Sequence, residues 1–273
     1  SFIEFMDFHG YKIIEKKNLV GGITRKVENK NGETYEIKEL LEAYMTFGGM
    51  PSLTEVPLEL DKALIILDGI YSSVVIRDIL EREKQRGRRQ VTDSSLLRKI
   101  IMFLADNIGN NTSINSISNI LLNEKLIDTK PAVQTVQSYV STLLEAYIFY
   151  EIKRFNIKGK EYLKTLGKYY IVDIGLRNYS LGFRNRDIGH CIENIVYFEL
   201  LRRGYDVVIG KIGENEIDFI ATNINTKIYI QVTENMASSS TRERELAPFY
   251  KIKDNFEKIV ITNDESYLEI QDG

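Results

Sequence analysis

The sequence has almost nothing with which to build a cross-linked or zinc-stapled fold. It holds one cysteine, Cys191, and two histidines, His9 and His190, among 273 residues. A single thiol excludes an internal disulfide, and zinc sets that need two or four cysteines are excluded with it. His9 and His190 are too far apart in the chain to show metal-ligand spacing. No apolar run reaches the roughly 18 residues that a membrane span needs. The opening Ser1-Phe2-Ile3-Glu4-Phe5 lacks a basic stretch followed by an apolar core, so it does not read as a signal peptide. A cytoplasmic protein is expected. Positive charge is not in excess either. Lys and Arg number 36 against 39 Asp and Glu, a net charge of -3, so any nucleic-acid contact must come from local patches. No Ser-His-Asp or Cys-His arrangement is visible.

The chain is long enough for two or three domains. Its 43% hydrophobic and 27% charged residues suit ordinary cores and surfaces. The first residue is not Met and the sequence stops at Asp272-Gly273, which reads as a piece of a longer protein.

Pattern separates three regions. Residues 1–90 read as a helical segment. Leu40, Leu41, Tyr44 and Met45 share a helix face, Gly48-Gly49-Met50-Pro51 breaks that helix, and Leu60, Leu64, Leu67, Ile70, Tyr71 and Val74 resume the helical spacing. A polar loop is expected around Asn29-Lys30-Asn31-Gly32. The charged stretch 81–90 reads as a linker or an exposed helix end, solvated in either case.

Residues 91–188 read as three helices and a β-hairpin. Asp93 is the expected N-cap of the first helix, whose stripe is Leu96, Ile100, Ile101, Leu104 and Ile108. The second helix spans 113–124. Pro131 fits the first turn of the third, with Thr129 or Lys130 before it. Val133, Val136, Val140, Leu143 and Leu144 make its buried stripe. Strand-like runs at 147–155 and 168–173 follow, joined by a basic loop. This is the order of a winged helix, whose third helix enters the major groove in helix-turn-helix proteins. Its outward positions here are Gln134, Gln137, Ser138 and Ser141, short polar groups able to meet base edges or phosphates. The hairpin adds Lys153, Arg154, Lys158, Lys160, Lys164 and Lys168 as a cationic wing. DNA is the expected partner. The alternative is a winged helix that binds a protein, since no arginine on the third helix could clamp guanine.

Residues 189–273 alternate helix and strand. A long helix through Ile192, Val196 and Leu200 closes at Gly204. Strands are expected at 205–210, 216–222, 227–233 and 258–262, with a helix at 241–250. The class is α/β. Three residues stand out: Glu193 at the start of the helix, Asp218 within Glu216-Ile217-Asp218-Phe219-Ile220, and Gln231 on the next strand. Glu216 and Asp218 are two apart, so they share a strand face. Carboxylates converging at strand ends suit Mg²⁺, which takes oxygen ligands and can orient a water toward a phosphodiester. The bland readings stay open. Asp218 could pair with Lys211 or with an arginine at 242–244, Glu193 could serve the helix dipole, and Gln231 could be satisfied by backbone.

Glu193, Glu216-Ile217-Asp218 and Gln231-Val232-Thr233 resemble the PD-(D/E)xK nuclease superfamily, the fold of many restriction enzymes and archaeal Holliday-junction resolvases. The resemblance implies a helix Glu, a strand Asp and a Glu or Gln as metal ligands. Glu193, Asp218 and Gln231 are then the catalytic set, with Glu193 and Asp218 on Mg²⁺. The lysine of that pattern is Thr233 here, which cannot supply the charge. Lys211 and Lys227 are the candidates to replace it. Longer phrases are similar to the region that follows the ATPase core in certain prokaryotic AAA+ ATPases: Gly48-Gly49-Met50-Pro51, Lys168-Tyr169-Tyr170-Ile171-Val172-Asp173-Ile174-Gly175-Leu176-Arg177-Asn178, and Glu193 through Tyr205. No G-x-x-x-x-G-K-[ST] loop occurs, so ATP would belong to a core outside this sequence.

The expectation is an α/β multi-domain chain: a helical segment, a winged helix and a restriction-endonuclease-like domain. It would be the DNA-associated region of an ATPase with a degenerate Mg²⁺-dependent nuclease-like site. The alternative is a non-catalytic module that reads a protein partner and regulates the ATPase.

Overall fold

A computed structural model describes residues 1–17, 23–85, 91–123, 131–183 and 188–264. Packing divides the chain into two compact units, each assembled from three stretches. The first holds Ser1–Asp106, Gln137–Ile148 and Ile171–Arg184; the second holds Asn107–Val136, Phe149–Tyr170 and Asn185–Gly273. Compactness thus joins stretches distant in the chain, which periodicity along a sequence does not show. The architecture is mixed α/β.

The first unit opens with α1 (Phe2–His9), held by a capping box between Ser1 and Glu4 and closed by Gly10 at φ 75°. Three short strands follow, β1 (Lys12–Lys17), β2 (Ile23–Glu28) and β3 (Thr34–Tyr35), in an antiparallel sheet. This region is not purely helical as expected. In β1 only Ile14 is even half-buried, so no apolar alternation marks the strand. The polar loop is confirmed as the β2–β3 turn, where Asn29 Oδ1 accepts from the Asn31 and Glu33 amides. α2 (Ile37–Phe47) packs Leu40 with Phe5, Met6 and Val27. Burying one such side chain fully contributes about 1.5–3 kcal/mol.

α3 (Leu60–Ile70) runs into a π-helical turn at Tyr71–Arg77 and then α4 (Asp78–Gln85). The expected stripe changes here. Leu60 and Val74 are exposed, whereas Ala63, Leu67, Tyr71, Val75 and Ile79 are buried. Steps of four suit the wider π turn, whose bonds reach one residue further than α bonds. Of the charged stretch expected as a linker or an exposed helix end, residues 81–85 are the end of α4 and residues 86–90 lie outside the described residues.

α5 (Ser94–Asp106) has its expected N-cap: Asp93 Oδ1 accepts from the Ser95 and Leu96 amides at 2.8 and 3.1 Å. Asp173 is not a strand residue. It caps α8 (Ile174–Leu181), accepting from Leu176 N at 3.0 Å, and its other oxygen accepts from Gly49 N at 2.7 Å. Two further α8 side chains serve helix ends. Asn178 Nδ2 donates to Met45 O and Thr46 O at 2.7 and 2.9 Å, and Arg177 Nε donates to Ala105 O at 2.9 Å. These are among the carbonyls that a helix C-terminus leaves without partners. A Cβ on Gly175 would overlap the Phe47 carbonyl oxygen, and one on Gly48 would overlap the Asp173 carboxylate. The Gly48-Gly49 and Asp173–Asn178 phrases are therefore two halves of one lock.

The second unit is built on a six-stranded mixed sheet in the order β5-β4-β6-β7-β8-β9. The strands are β4 (Phe149–Asn156), β5 (Glu161–Ile171), β6 (Asp206–Ile212), β7 (Asn215–Thr222), β8 (Lys227–Thr233) and β9 (Glu257–Thr262). β4 pairs parallel to β6, so the expected hairpin forms the edge of this larger sheet. β5 also begins seven residues before the expected 168. β6, β7 and β8 form an antiparallel meander, and β9 returns parallel to β8. β9 is half-buried along most of its length, not fully buried as its apolar run suggested.

α6 (Ile114–Asn123) matches the second expected helix. α7 (Val133–Glu145) starts after Pro131, which therefore precedes the first turn, and Val133 is exposed. Thr129 and Lys130 lie outside the described residues. α9 (Ile188–Arg202) ends with Gly204 at φ 78° as expected, and α10 (Ser239–Tyr250) is capped by Ser238. Ile212, Ile217, Ile220, Tyr229, Phe249 and Ile252 form one core of the unit. Tyr170, Tyr197 and Phe219 form an aromatic stack beside α9, with the first two ring centres 4.9 Å apart. Among the described residues no helix is long and apolar enough to cross a membrane.

Candidate functional site

The site begins with an irregularity in the sheet. Val208 pairs with Ile220 and Gly210 with Ile217. An advance of two residues on β6 thus matches three on β7, and the added residue falls at Asp218-Phe219. A bulge of this kind resets alternation and re-aims a side chain. It explains how Ile217 and Ile220 come to share one core. The β7–β8 pairing runs from Thr222 and Lys227 to Phe219 and Ile230. Beyond it, side chains replace the ladder. Gln231 Oε1 accepts from Asp218 N at 2.8 Å, and Asp218 Oδ2 accepts from Val232 N at 2.9 Å. Buried amides need such partners. Gln231 Nε2 donates to Glu245 Oε2 at 3.3 Å.

A buried lysine sits where the carboxylates converge. Lys168 Nζ, from β5, lies 2.9 Å from Glu193 Oε1, 2.9 Å from Glu216 Oε1 and 3.7 Å from Asp218 Oδ1. The Tyr170 hydroxyl donates to Glu193 Oε1, and His190 Nδ1 lies 3.5 Å from Glu193 Oε2. Asn111 Nδ2 donates to Glu216 Oε2 at 3.1 Å. Arg154 Nε stands 3.9 Å from that same oxygen, buried and without a hydrogen bond. Gly109 lies over the cluster, where a Cβ would press on His190 Nδ1 and Glu193 Oε2 at 2.8 and 3.1 Å.

The electrostatics follow from burial. Burial alone lowers a lysine, but Glu193, Asp218 and Glu216 outweigh it and hold Lys168 well above its ordinary value, so it stays an ammonium. Burial alone raises Glu193, but Lys168, His190 and Tyr170 outweigh it and keep this carboxyl below the usual range. Asp218 goes the other way. Its burial and the Glu193 charge push it up to about 7, against the opposing pull of Lys168 and the Val232 amide.

The expected residues Glu193, Asp218 and Gln231 are therefore brought together, and Glu216 joins them. Asp218 does form an ion pair, but with Lys168, not with Lys211 or an arginine at 242–244. Lys211 Nζ donates to Glu214 O, Lys227 lies over the Tyr229 and Phe256 rings beside Asp254, and Arg244 pairs with Glu245. Thr233 Oγ1 is bonded to Asn235 O. Lys168 is therefore not one of the wing cations expected from its place on the hairpin. The signal that it belongs inside was its place ahead of Tyr169-Tyr170-Ile171, since an ammonium in an apolar strand needs a partner. Arg154 is buried too, leaving Lys153, Lys158 and Lys160 as exposed hairpin cations. The Lys164 side chain lies outside the described residues. On α7, Gln134, Gln137 and Ser141 are exposed and Ser138 is half-buried.

A family model described as "Domain of unknown function (DUF8612)" matches residues 38–187, more than half of the chain. The chain belongs to the DUF8612 family. The matched stretch contains Lys168, Tyr170 and the whole Asp173–Asn178 lock; it ends before α9 and so before Glu193. An uncharacterized protein of Haemophilus influenzae is 37% identical over 86% of the chain, and one of Methanocaldococcus jannaschii is 29% identical over 99%. The chain spans 55% and 57% of the length of these relatives. No solved structure matches it.

The donors can be tested against the Mg²⁺ that the nuclease resemblance implies. Their chemistry is right, since carboxylate oxygens suit a hard cation. Their arrangement is not. Gln231 Oε1 and Asp218 Oδ2 are committed to backbone amides, Glu193 Oε1 to Lys168 and Tyr170, and the Lys168 ammonium fills the point of convergence. Among the described residues no three His, Cys, Asp or Glu stand together as a metal-holding group. As placed, the site does not fit a divalent ion.

Proposed function

We propose that this chain is the nucleic-acid-associated region of an ATPase, and that its sheet unit is a nuclease-like module which holds DNA without cutting it. The observation that carries this reading is the convergence of Glu193 from α9 and Asp218 from β7 on the Lys168 ammonium, with Gln231 from β8 bonded to the Asp218 amide. A helix Glu, a strand Asp and a neighbouring-strand Gln are what the nuclease resemblance implies. The expected metal roles of Glu193 and Asp218 are replaced by ion pairing to Lys168. In this reading the ATPase core lies in the part of the longer proteins that the chain does not span, and ATP acts there. Exposed Lys153, Lys158 and Lys160, with Gln134, supply the phosphate contacts of the sheet unit.

Fluorescence anisotropy with labelled duplex and four-way-junction DNA tests it. Binding should weaken steeply between 50 and 200 mM salt, because neutralising phosphates releases counterions. Changing Lys153, Lys158 and Lys160 to Gln together should flatten the log–log slope by about 0.9 per lost phosphate contact. Binding that ignores both salt and the triple substitution would move the assignment to a protein partner. Mn²⁺-dependent cleavage abolished by Asp218→Ala would overturn the non-cutting half of the proposal.

A further inference from the structure

The nuclease resemblance calls for a divalent cation, and the geometry points to a different occupant: we infer that the Lys168 ammonium is a built-in substitute for that cation, plugging a site that would otherwise take Mg²⁺ or Mn²⁺. The inference uses the carboxylates of the proposed function but does not rest on DNA association. Metal binding can therefore fail while DNA binding stands, and the reverse.

Three observations carry it. First, the charges require a cation at this point. Glu193 and Glu216 each meet Nζ at 2.9 Å and Asp218 lies 3.7 Å away; Lys168 and Glu193 are buried, at 4% and 6% exposed, and Glu216 and Asp218 are half-buried. Buried carboxylates without a counter-charge are too costly to keep ionised. Second, the other basic groups do not serve this purpose. Arg154 stands at 3.9 Å from Glu216 alone, and His190 at 3.5 Å from Glu193 alone. Only Lys168 among the described residues touches all three carboxylates. Third, the backbone is bent at this place on the strand. Leu166 sits at φ 63°, a conformation that costs a non-glycine residue energy, and Gly167 bridges to Thr112 immediately before Lys168. Gly167 is also pressed close to Glu151 and the Ile152 carbonyl, where a Cβ would lie 3.1 Å from each. A regular β5 would not need this bend, and the residue that follows it is the one that enters the carboxylate cluster.

Removing the ammonium should expose the site. Lys168→Ala leaves three carboxylates facing a space the size of the lost side chain. A divalent ion binds oxygens at about 2.1 Å, so in its place Glu193 and Glu216 would move in by about 0.8 Å and Asp218 by about 1.6 Å.

The experiment is a Mn²⁺ titration of the 273-residue chain by calorimetry and by electron paramagnetic resonance of free Mn²⁺. The wild type should take up no stoichiometric Mn²⁺. Lys168→Ala should bind one equivalent at least tenfold more tightly than the wild type, and Asp218→Asn added to it should abolish that gain. Lys168→Arg should behave as the wild type. If Lys168→Ala does not fold alone, folding restored by Mn²⁺ but not by K⁺ supports the inference. The same test applies to Lys168→Met, which keeps most of the stem. One-equivalent binding by the wild type that Asp218→Asn removes would overturn the inference. So would folded Lys168 variants that bind no metal, or variants that no divalent ion restores.

Discussion

Replacing Asp173 by alanine should unfold the first unit more readily than any surface change, because one carboxylate holds two segments far apart in sequence. Its Oδ1 caps α8 through Leu176 N at 3.0 Å and its Oδ2 takes Gly49 N at 2.7 Å. Losing an N-cap costs about 1 kcal/mol. Leaving the partly buried Gly49 amide without a partner costs about 1–3 kcal/mol more. Part of this is offset, since burial raises the Asp173 carboxyl above its ordinary value and its removal relieves that desolvation. The net expectation is about 2–3 kcal/mol for Asp173→Ala. Asp173→Asn should cost about half as much, because asparagine caps as well as aspartate but presents one oxygen instead of two. The assay is urea unfolding followed by far-UV circular dichroism, suited to a chain with no tryptophan. Two compact units need not unfold together, so the shift is read in whichever transition moves. An Asp173→Ala midpoint equivalent to less than about 0.5 kcal/mol, the range of ordinary surface substitutions, would refute the lock.

Gly175→Ala should be at least as severe as Asp173→Ala, because its Cβ would meet the backbone oxygen of Phe47, which cannot swing aside as a side chain can; soluble expression and thermal unfolding report it. Stability should also carry a pH signature from Asp218, which faces Glu193, Glu216, Glu245, Lys168 and Tyr170. Its folded value of about 7 exceeds the unfolded aspartate value near about 4. The folded state therefore holds a proton that the unfolded chain releases between these pH values, and this group's contribution falls as pH rises through that window. Urea midpoints from pH 4 to 8 should decline less in Asp218→Asn than in the wild type, and a steeper decline in the variant contradicts the assignment. For the proposed DNA contact, the triple lysine substitution should reduce salt sensitivity without changing the unfolding midpoint, since all three side chains are exposed.

Much of the α/β half was legible because its elements announce themselves. Gly204 after α9, the apolar meander and the Glu193, Asp218 and Gln231 positions all lie close to where pattern placed them. What stayed hidden depends on contacts across the sequence. β1 buries almost nothing and β2 buries fully only Val27, so no hydrophobic period betrays the pair. The π turn at Tyr71–Arg77 changes which face is buried, and a scan at 3.6 residues per turn puts Val74 inside where Val75 belongs. Asp173 looked like the end of a strand, because nothing local shows that Gly49 supplies its second donor. Thr233 stands where the resemblance places the charge and neither Lys211 nor Lys227 replaces it; the charge arrives from β5, some sixty residues earlier in the chain. Lys168 lies on the same hairpin as the exposed lysines, yet the apolar run after it was the readable clue.

The most direct test is the Mn²⁺ titration of the wild-type chain beside Lys168→Ala. The account expects no stoichiometric uptake by the wild type and one Asp218-dependent equivalent in the variant. Stoichiometric, Asp218-dependent uptake with Lys168 in place would contradict it, and would make these carboxylates a working metal centre.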